Sequence, residues 1–199
     1  FVSNEYRVLS YAIAGLVALL SLMVFLRSDQ RALPFWAFIL ALAWGLRTHY
    51  YQWVDTPFSG TGRLVYYFTV TCLIPMAWAN VANEWTGRPW RVLRWLASAT
   101  GLAMIAAIGW LLLSGRPGAY DTASKITDLG GLGLGIAACG TIAWHLLTRR
   151  DERNWEAAIL VLAITLLSSD FYKQFTEAKS NVFMANTVPL LLAGFAVAF

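Results

Sequence analysis

The chain has 199 residues, of which 58% are hydrophobic and only 13% are charged, and its formal net charge is +4. A soluble domain is usually about half apolar and about a quarter charged, so this composition excludes an ordinary soluble domain. The apolar residues come in long blocks, which predicts a polytopic membrane protein with a single helical bundle. Because the basic residues lie at the edges of these blocks, the positive charge indicates membrane topology and not a nucleic-acid partner.

Seven blocks are long enough, or nearly so, to cross the roughly 30 Å of hydrocarbon in a bilayer. We therefore predict an all-α fold, a seven-transmembrane helix bundle in one domain over residues 1–199. The predicted helices cover residues 6–26, 33–53, 63–81, 92–113, 126–147, 155–172 and 182–199. The connections are short, so helices adjacent in sequence are expected to pack antiparallel. Since the chain starts without Met and stops inside an apolar block, a fragment of a longer protein is expected.

The distribution of basic residues predicts the orientation of the bundle. One side carries Arg27, Arg31, Arg88, Arg91, Arg94, Arg149, Arg150 and Arg153 in three tight loops. The opposite side carries Arg7, Arg47, Arg63, Arg116, Lys125, Lys173 and Lys179 over longer segments. Loops dense in Lys and Arg stay in the cytoplasm. The amino terminus is therefore predicted outside, and the carboxyl terminus in the cytoplasm.

The fifth block carries a stripe of small residues at four-residue spacing, Gly131, Gly135 and Cys139. Small residues let helix backbones approach closely in lipid, so this stripe predicts a packing surface. Cys72 and Cys139 both lie near the middle of apolar blocks, where we expect them to behave as small buried hydrophobic residues. Neither a disulfide framework nor a metal site is expected from two such cysteines.

Polar side chains gather at the predicted outer ends of several helices. Charged groups at membrane depth normally face a protein interior or a watery cavity, so these residues predict an outer pocket for a small polar ligand. The basic residues Arg47, Arg63 and Lys173 would also allow an anionic one. The candidate residues are Arg47, His49, Tyr50, Arg63, Tyr66, Tyr67, Asp128, Asp170, Tyr172, Lys173 and Asn186. The alternative is an aromatic belt at the interface with a snorkelling arginine, an interpretation that suits Tyr51 and Trp53 best.

Asp170 is the deepest acidic residue and needs a basic partner, for which Arg47, Arg63 and Lys173 are candidates. Either it forms a structural ion pair between helices or it contacts the ligand. His145 and Trp144, at the other side of the membrane, are expected to be interface anchors. No catalytic motif is present, so we expect no enzymatic activity in this segment and no cofactor.

Four features of the chain occur together in one known family: the short loop 27–31, the basic segment 87–94, the charged loop 149–153 and an apolar sixth helix that ends in Asp170. With these features the chain resembles the bacterial seven-transmembrane receptors with diverse intracellular signalling modules. The resemblance implies a sensor in the bacterial inner membrane that detects an extracytoplasmic signal. Its implied partners are the lipid bilayer, a small polar ligand and a cytoplasmic module such as a histidine kinase or a nucleotide cyclase, and a homodimer is compatible with it.

Two other classes stay open at this point. The segment 63–67 is faintly similar to a segment of microbial rhodopsins, but the seventh predicted helix has no lysine for a retinal Schiff base. A small transporter or a lipid-modifying membrane enzyme would need paired acids deep in the bundle or broken helices. Of these features the sequence offers only Pro75 and Pro189, which could kink the third and seventh predicted helices.

Overall fold

The computed structural model describes residues 4–29, 31–50 and 60–148 of the chain. These residues form five helices and no strand, which confirms the all-helical class for this part of the chain. The helices are α1 (Asn4–Arg27), α2 (Ala32–Tyr50), α3 (Gly60–Trp85), α4 (Arg91–Leu113) and α5 (Ala119–Thr148). The sixth and seventh predicted helices lie outside the described residues.

Three of these helices are long and apolar enough to cross a membrane, judged by length and composition. They are Gly60–Trp85, Arg91–Leu113 and Ala119–His145, and α1 contributes a shorter apolar stretch, Tyr11–Arg27. Helix α4 also exposes large apolar side chains along its length, among them Val92, Trp95, Leu102, Trp110 and Leu113. Water would oppose such a surface, so these helices indicate a membrane protein.

The helix boundaries differ from the predicted ones mainly on α3 and α5. Helix α3 continues to Trp85 and α5 starts at Ala119, whereas the apolar blocks end at residue 81 and start at residue 126. The added turns are polar or mixed, and Gly118 precedes α5 with a φ of 77°, which glycine adopts without strain. Hydropathy marks the part of a helix that lies in lipid, so it misses turns that extend beyond that part.

Helix α3 is the centre of the described bundle, since it packs against α2, α4 and α5, whereas α1 packs against α2. The described pairs of helices adjacent in sequence are antiparallel. Tyr11 near the start of α1 contacts His49 near the end of α2, and Asn80 near the end of α3 contacts Ser98 near the start of α4. Helices α3 and α5 run parallel, because Tyr120 lies at the amino end of α3 and His145 at its carboxyl end.

Two glycines allow close helix approach around α4. Gly101 on α4 lies against Met76 of α3, and Gly130 on α5 lies against Met104 of α4. Of the predicted stripe, Gly131 is buried and faces Pro75, with space for ordinary contact. Of Gly130 and Gly131, Gly130 therefore has the closer neighbour, and it lies one residue before the predicted stripe.

Replacing Gly101 with alanine should destabilise the bundle. A Cβ at Gly101 would lie 2.5 Å from Sδ and 2.7 Å from Cβ of Met76, and Cβ cannot move away by a rotamer change. We expect Gly101→Ala to lower the free energy of unfolding by about 1–3 kcal/mol, as overpacking does. Thermal unfolding in detergent measures this. Gly109→Ala on the same helix is the control, because nothing lies within 4 Å of its Cβ position; equal melting temperatures for the two variants would contradict this packing.

Candidate functional site

Two groups of aromatic side chains lie near the amino end of α3, and together we call them the tyrosine cluster: Tyr11 with His49, and Tyr50 with Tyr66 and Tyr67. The Tyr11 hydroxyl lies 3.1 Å from Nδ1 of His49 and joins α1 to α2. The Tyr50 ring stacks on Tyr66, with centroids 6.2 Å apart, and packs on Tyr67 at 4.9 Å. These contacts connect the end of α2 to the start of α3.

A main-chain hydrogen bond reinforces the same junction. The Tyr66 hydroxyl donates to the carbonyl of Leu46 at 3.0 Å. Leu46 lies one turn before Tyr50, so this bond and the ring stacking act on the same last turn of α2. Any movement of that turn relative to α3 must break or rearrange both contacts.

Arg63 brings a positive charge to the tyrosine cluster. Its guanidinium carbon lies 5.1 Å from the centroid of the Tyr50 ring, within the range of a cation–π contact. Its Nε is buried and has no hydrogen-bond partner among the described residues. Buried donors normally have an acceptor, so this N–H is suited to an anionic or carbonyl ligand.

The structure thus brings together five of the predicted pocket residues: His49, Tyr50, Arg63, Tyr66 and Tyr67. Two others are described but lie apart from these contacts. Arg47 is half-buried on α2, and Asp128 is exposed on α5, where Ser124 donates to it at 3.4 Å. Asp170, Tyr172, Lys173 and Asn186 lie outside the described residues, as does the proposed pairing of Asp170 with a basic partner.

Two aromatic contributors were missed by the sequence interpretation. Tyr11 was hidden because it belongs to the first apolar block, and Tyr120 because it precedes the predicted start of the fifth helix. Tyr120 packs against Phe68 of α3 with ring centroids 5.7 Å apart, which adds α5 to the same end of the bundle. A search for tyrosines at helix starts would have found Tyr120 together with Tyr66 and Tyr67.

The carboxyl end of α3 holds a different set of polar contacts, centred on Asn83. This side chain is 1% exposed. Its amide nitrogen donates to the Trp90 carbonyl at 3.2 Å, and its amide oxygen accepts from the Trp90 N–H at 3.0 Å. Asn83 therefore satisfies both main-chain groups of Trp90, the residue that precedes α4.

Neighbouring residues of α3 extend this connection to α4. Glu84 accepts a hydrogen bond from Nε of Arg94 at 2.6 Å. Asn80 donates to the Met76 carbonyl at 2.9 Å and to the Ser98 hydroxyl at 3.4 Å, while its own Oδ1 is buried without a partner. The spacing of Asn80, Asn83 and Glu84 (i, i+3, i+4) places them on one helix face, a signal that the sequence interpretation overlooked.

A pocket of about 320 Å³ opens beside Asn83, between the α3–α4 connection and the end of α5. Its lining residues are Asn83, Thr86, Arg88, Trp90, Thr141, Trp144, His145 and Thr148. The His145 ring packs edge-on against Trp85, with centroids 5.5 Å apart. His145, expected only as an interface anchor, thus also lines a pocket.

Within the described ranges, no set of side chains is arranged to bind a metal ion. There, no group of three or more His, Cys, Asp or Glu side chains could hold one ion. Cys72 is buried and lies 3.8 Å from the Thr127 hydroxyl, and Cys139 is half-buried. His49 and His145 lie at opposite ends of α3, so they cannot share a ligand.

Comparisons with protein-family models, with curated proteins and with solved structures found no match to this chain. The resemblance to bacterial seven-transmembrane receptors therefore stays a prediction.

Proposed function

We propose that the chain is the membrane-embedded sensor domain of a bacterial inner-membrane receptor, with seven helices, an outer amino terminus and a cytoplasmic carboxyl terminus. The helical, apolar character of the described part supports a membrane location. The receptor class rests on the sequence resemblance, and the number of helices rests on the seven apolar blocks of the sequence. The proposal gives the segment no catalytic role, and leaves the output to an attached cytoplasmic module.

The observation that carries the proposal is Arg63 beside Tyr50, with an unpartnered buried Nε, at the end where α1, α2, α3 and α5 meet. A small carboxylate could accept from Arg63 while its apolar part packs on the tyrosine rings. Arginine favours such ligands because its planar guanidinium matches carboxylate geometry. Since the tyrosine cluster joins several helices, a ligand bound beside it can change how those helices pack.

A signal is passed only if the ligand binds two arrangements of the bundle unequally. The tyrosine cluster joins α2 to α3, and Asn83 and Glu84 join α3 to α4. A change in the α2–α3 junction can therefore reach the opposite end of the bundle through α3. This supports α3 as the element that connects the signal side to the cytoplasmic side.

The proposed orientation can be measured with two exposed residues on opposite sides. We expect Ser114→Cys, in the α4–α5 connection, to react with a membrane-impermeant maleimide on intact cells, and Asp29→Cys, in the α1–α2 connection, to react only after lysis. Both are made in a background lacking Cys72 and Cys139. The physical basis is the retention of arginine-dense loops in the cytoplasm. Labelling of the Asp29 variant alone on intact cells would mean the reverse orientation.

The ligand proposal is tested with small carboxylates as probes. We expect acetate, succinate or citrate to raise the melting temperature of the purified chain, because a ligand that binds only the folded state stabilises it. Arg63→Gln should remove this shift, and Arg116→Gln, an exposed arginine in the α4–α5 connection, should keep it. No shift with any carboxylate in the unaltered chain, or an equal loss in both variants, argues against an anion site at Arg63.

The sensor class is tested by the gene itself. We expect the reading frame downstream of Phe199 to encode a histidine kinase, a nucleotide cyclase or a related module, because the bundle needs an output on the cytoplasmic side. Sequencing of the complete gene gives the answer. A stop codon soon after Phe199 would rule out a covalently attached output.

A further inference from the structure

We propose that the pocket beside Asn83 binds a phosphate group at the membrane surface. The pocket lies at the carboxyl end of α3, opposite the tyrosine cluster, so this site is separate from the proposed sensor site. Its volume of about 320 Å³ exceeds the roughly 30 Å³ that one water molecule occupies in liquid. A phosphate group with part of its ester substituent fits within that space.

The charge of the lining favours an anion. Arg88 contributes a permanent positive charge, and none of the lining residues that the structure describes carries a carboxylate. Glu84, one turn before Arg88, is held in an ion pair by Arg94. The acidic group that could otherwise neutralise Arg88 locally is therefore engaged with another arginine.

The hydrogen-bonding groups of the lining agree with this charge. The hydroxyls of Thr86, Thr141 and Thr148 donate to main-chain carbonyls of their own segments. Among the lining side chains, the guanidinium of Arg88 and the indoles of Trp90 and Trp144 carry N–H donors. Guanidinium and indole groups donate but do not accept, so the lining is rich in donors and suits the oxygen atoms of a phosphate.

The α3–α4 connection fixes the position of Arg88. Gly87 has a φ of 69°, which a glycine adopts freely, and the Arg88 N–H donates to the Thr86 hydroxyl at 3.4 Å. Asn83 holds Trp90 on the other side of the turn. The backbone around the charge is therefore set before any ligand arrives, which reduces the entropy lost on binding.

The depth of the pocket indicates where the phosphate comes from. Trp90 and Trp144 are 56% and 58% exposed, and tryptophan concentrates at the headgroup level of bilayers. Basic pockets between transmembrane helices accept lipid headgroups. The phosphate of an anionic phospholipid and a free phosphate share the chemistry that this pocket recognises, and the experiment separates the two.

The test uses the complete 199-residue chain in nanodiscs of phosphatidylcholine with or without phosphatidylglycerol, and inorganic phosphate as the second probe. Lipid retention is measured by native mass spectrometry, and phosphate binding by the shift in melting temperature. Arg88→Gln should weaken binding of the preferred probe about tenfold or more, the effect of one lost charge-assisted hydrogen bond. Arg88→Lys should restore part of it, and Arg116→Gln, an exposed arginine at the other end of the bundle, should have no effect.

Each outcome decides the proposal. Phosphatidylglycerol retention that depends on Arg88 supports a phosphate site filled by lipid. Binding of inorganic phosphate that depends on Arg88, without selective lipid retention, supports a site for soluble phosphate. Binding of neither probe overturns the proposal, and so does an equal loss in the Arg88→Gln and Arg116→Gln variants, because that result would reflect general surface charge.

Discussion

The double hydrogen bond between the Asn83 amide and the main chain of Trp90 is the constraint on which the described bundle depends most. The Asn83 side chain is 1% exposed, and a buried amide must find its hydrogen-bond partners within the protein. The chain must leave α3, turn and begin α4 within a few residues, and the four initial N–H groups of a helix have no intrahelical acceptor. The Asn83 amide forms hydrogen bonds with both the N–H and the carbonyl of Trp90 at that turn, and thereby sets where α4 begins.

The two ends of α3 are held by different kinds of contact, and the distance between them matches the thickness of the hydrocarbon layer. Arg63 and Asn83 lie 20 residues apart on α3, about 30 Å at 1.5 Å per residue, which equals the hydrocarbon thickness. Aromatic stacking and one cation dominate the amino end, whereas amide and ion-pair contacts dominate the carboxyl end. Stacked rings can slide with little loss of contact area, but a double amide hydrogen bond has a narrow geometry. The two ends therefore differ in how far they can rearrange.

The sequence predicted what depends on hydropathy and missed what depends on helix rotation. Long apolar blocks were enough to predict the five described helices, and the polar ends of the second and third blocks were enough to bring Tyr50, Arg63 and Tyr66 together. Hydropathy could not show that α3 contacts α5 as well as its sequence neighbours, since that requires knowing which face of each helix points inward. For the same reason the spacing of small residues did not single out Gly130, which lies against Met104 of α4. Asn80 was missed because one amide barely lowers the hydropathy of a long block. Asn83 was missed because it lies beyond the predicted end of that block at residue 81.

These contacts also bear on which helix–helix interface a bound ligand would change. Helices α3 and α4 are joined by Asn83, by the Glu84–Arg94 ion pair and by the Gly101–Met76 contact, where an added Cβ would clash. Helix α2 is joined to α3 at the amino end by stacked rings and the Tyr66 hydrogen bond. Packed interfaces shift where the contacts tolerate a second arrangement, so in our proposal a ligand at Arg63 acts on α2 relative to the unit made of α3 and α4. Both proposed sites touch that unit, and binding at one can affect the other only as far as the unit itself rearranges, equally in both directions.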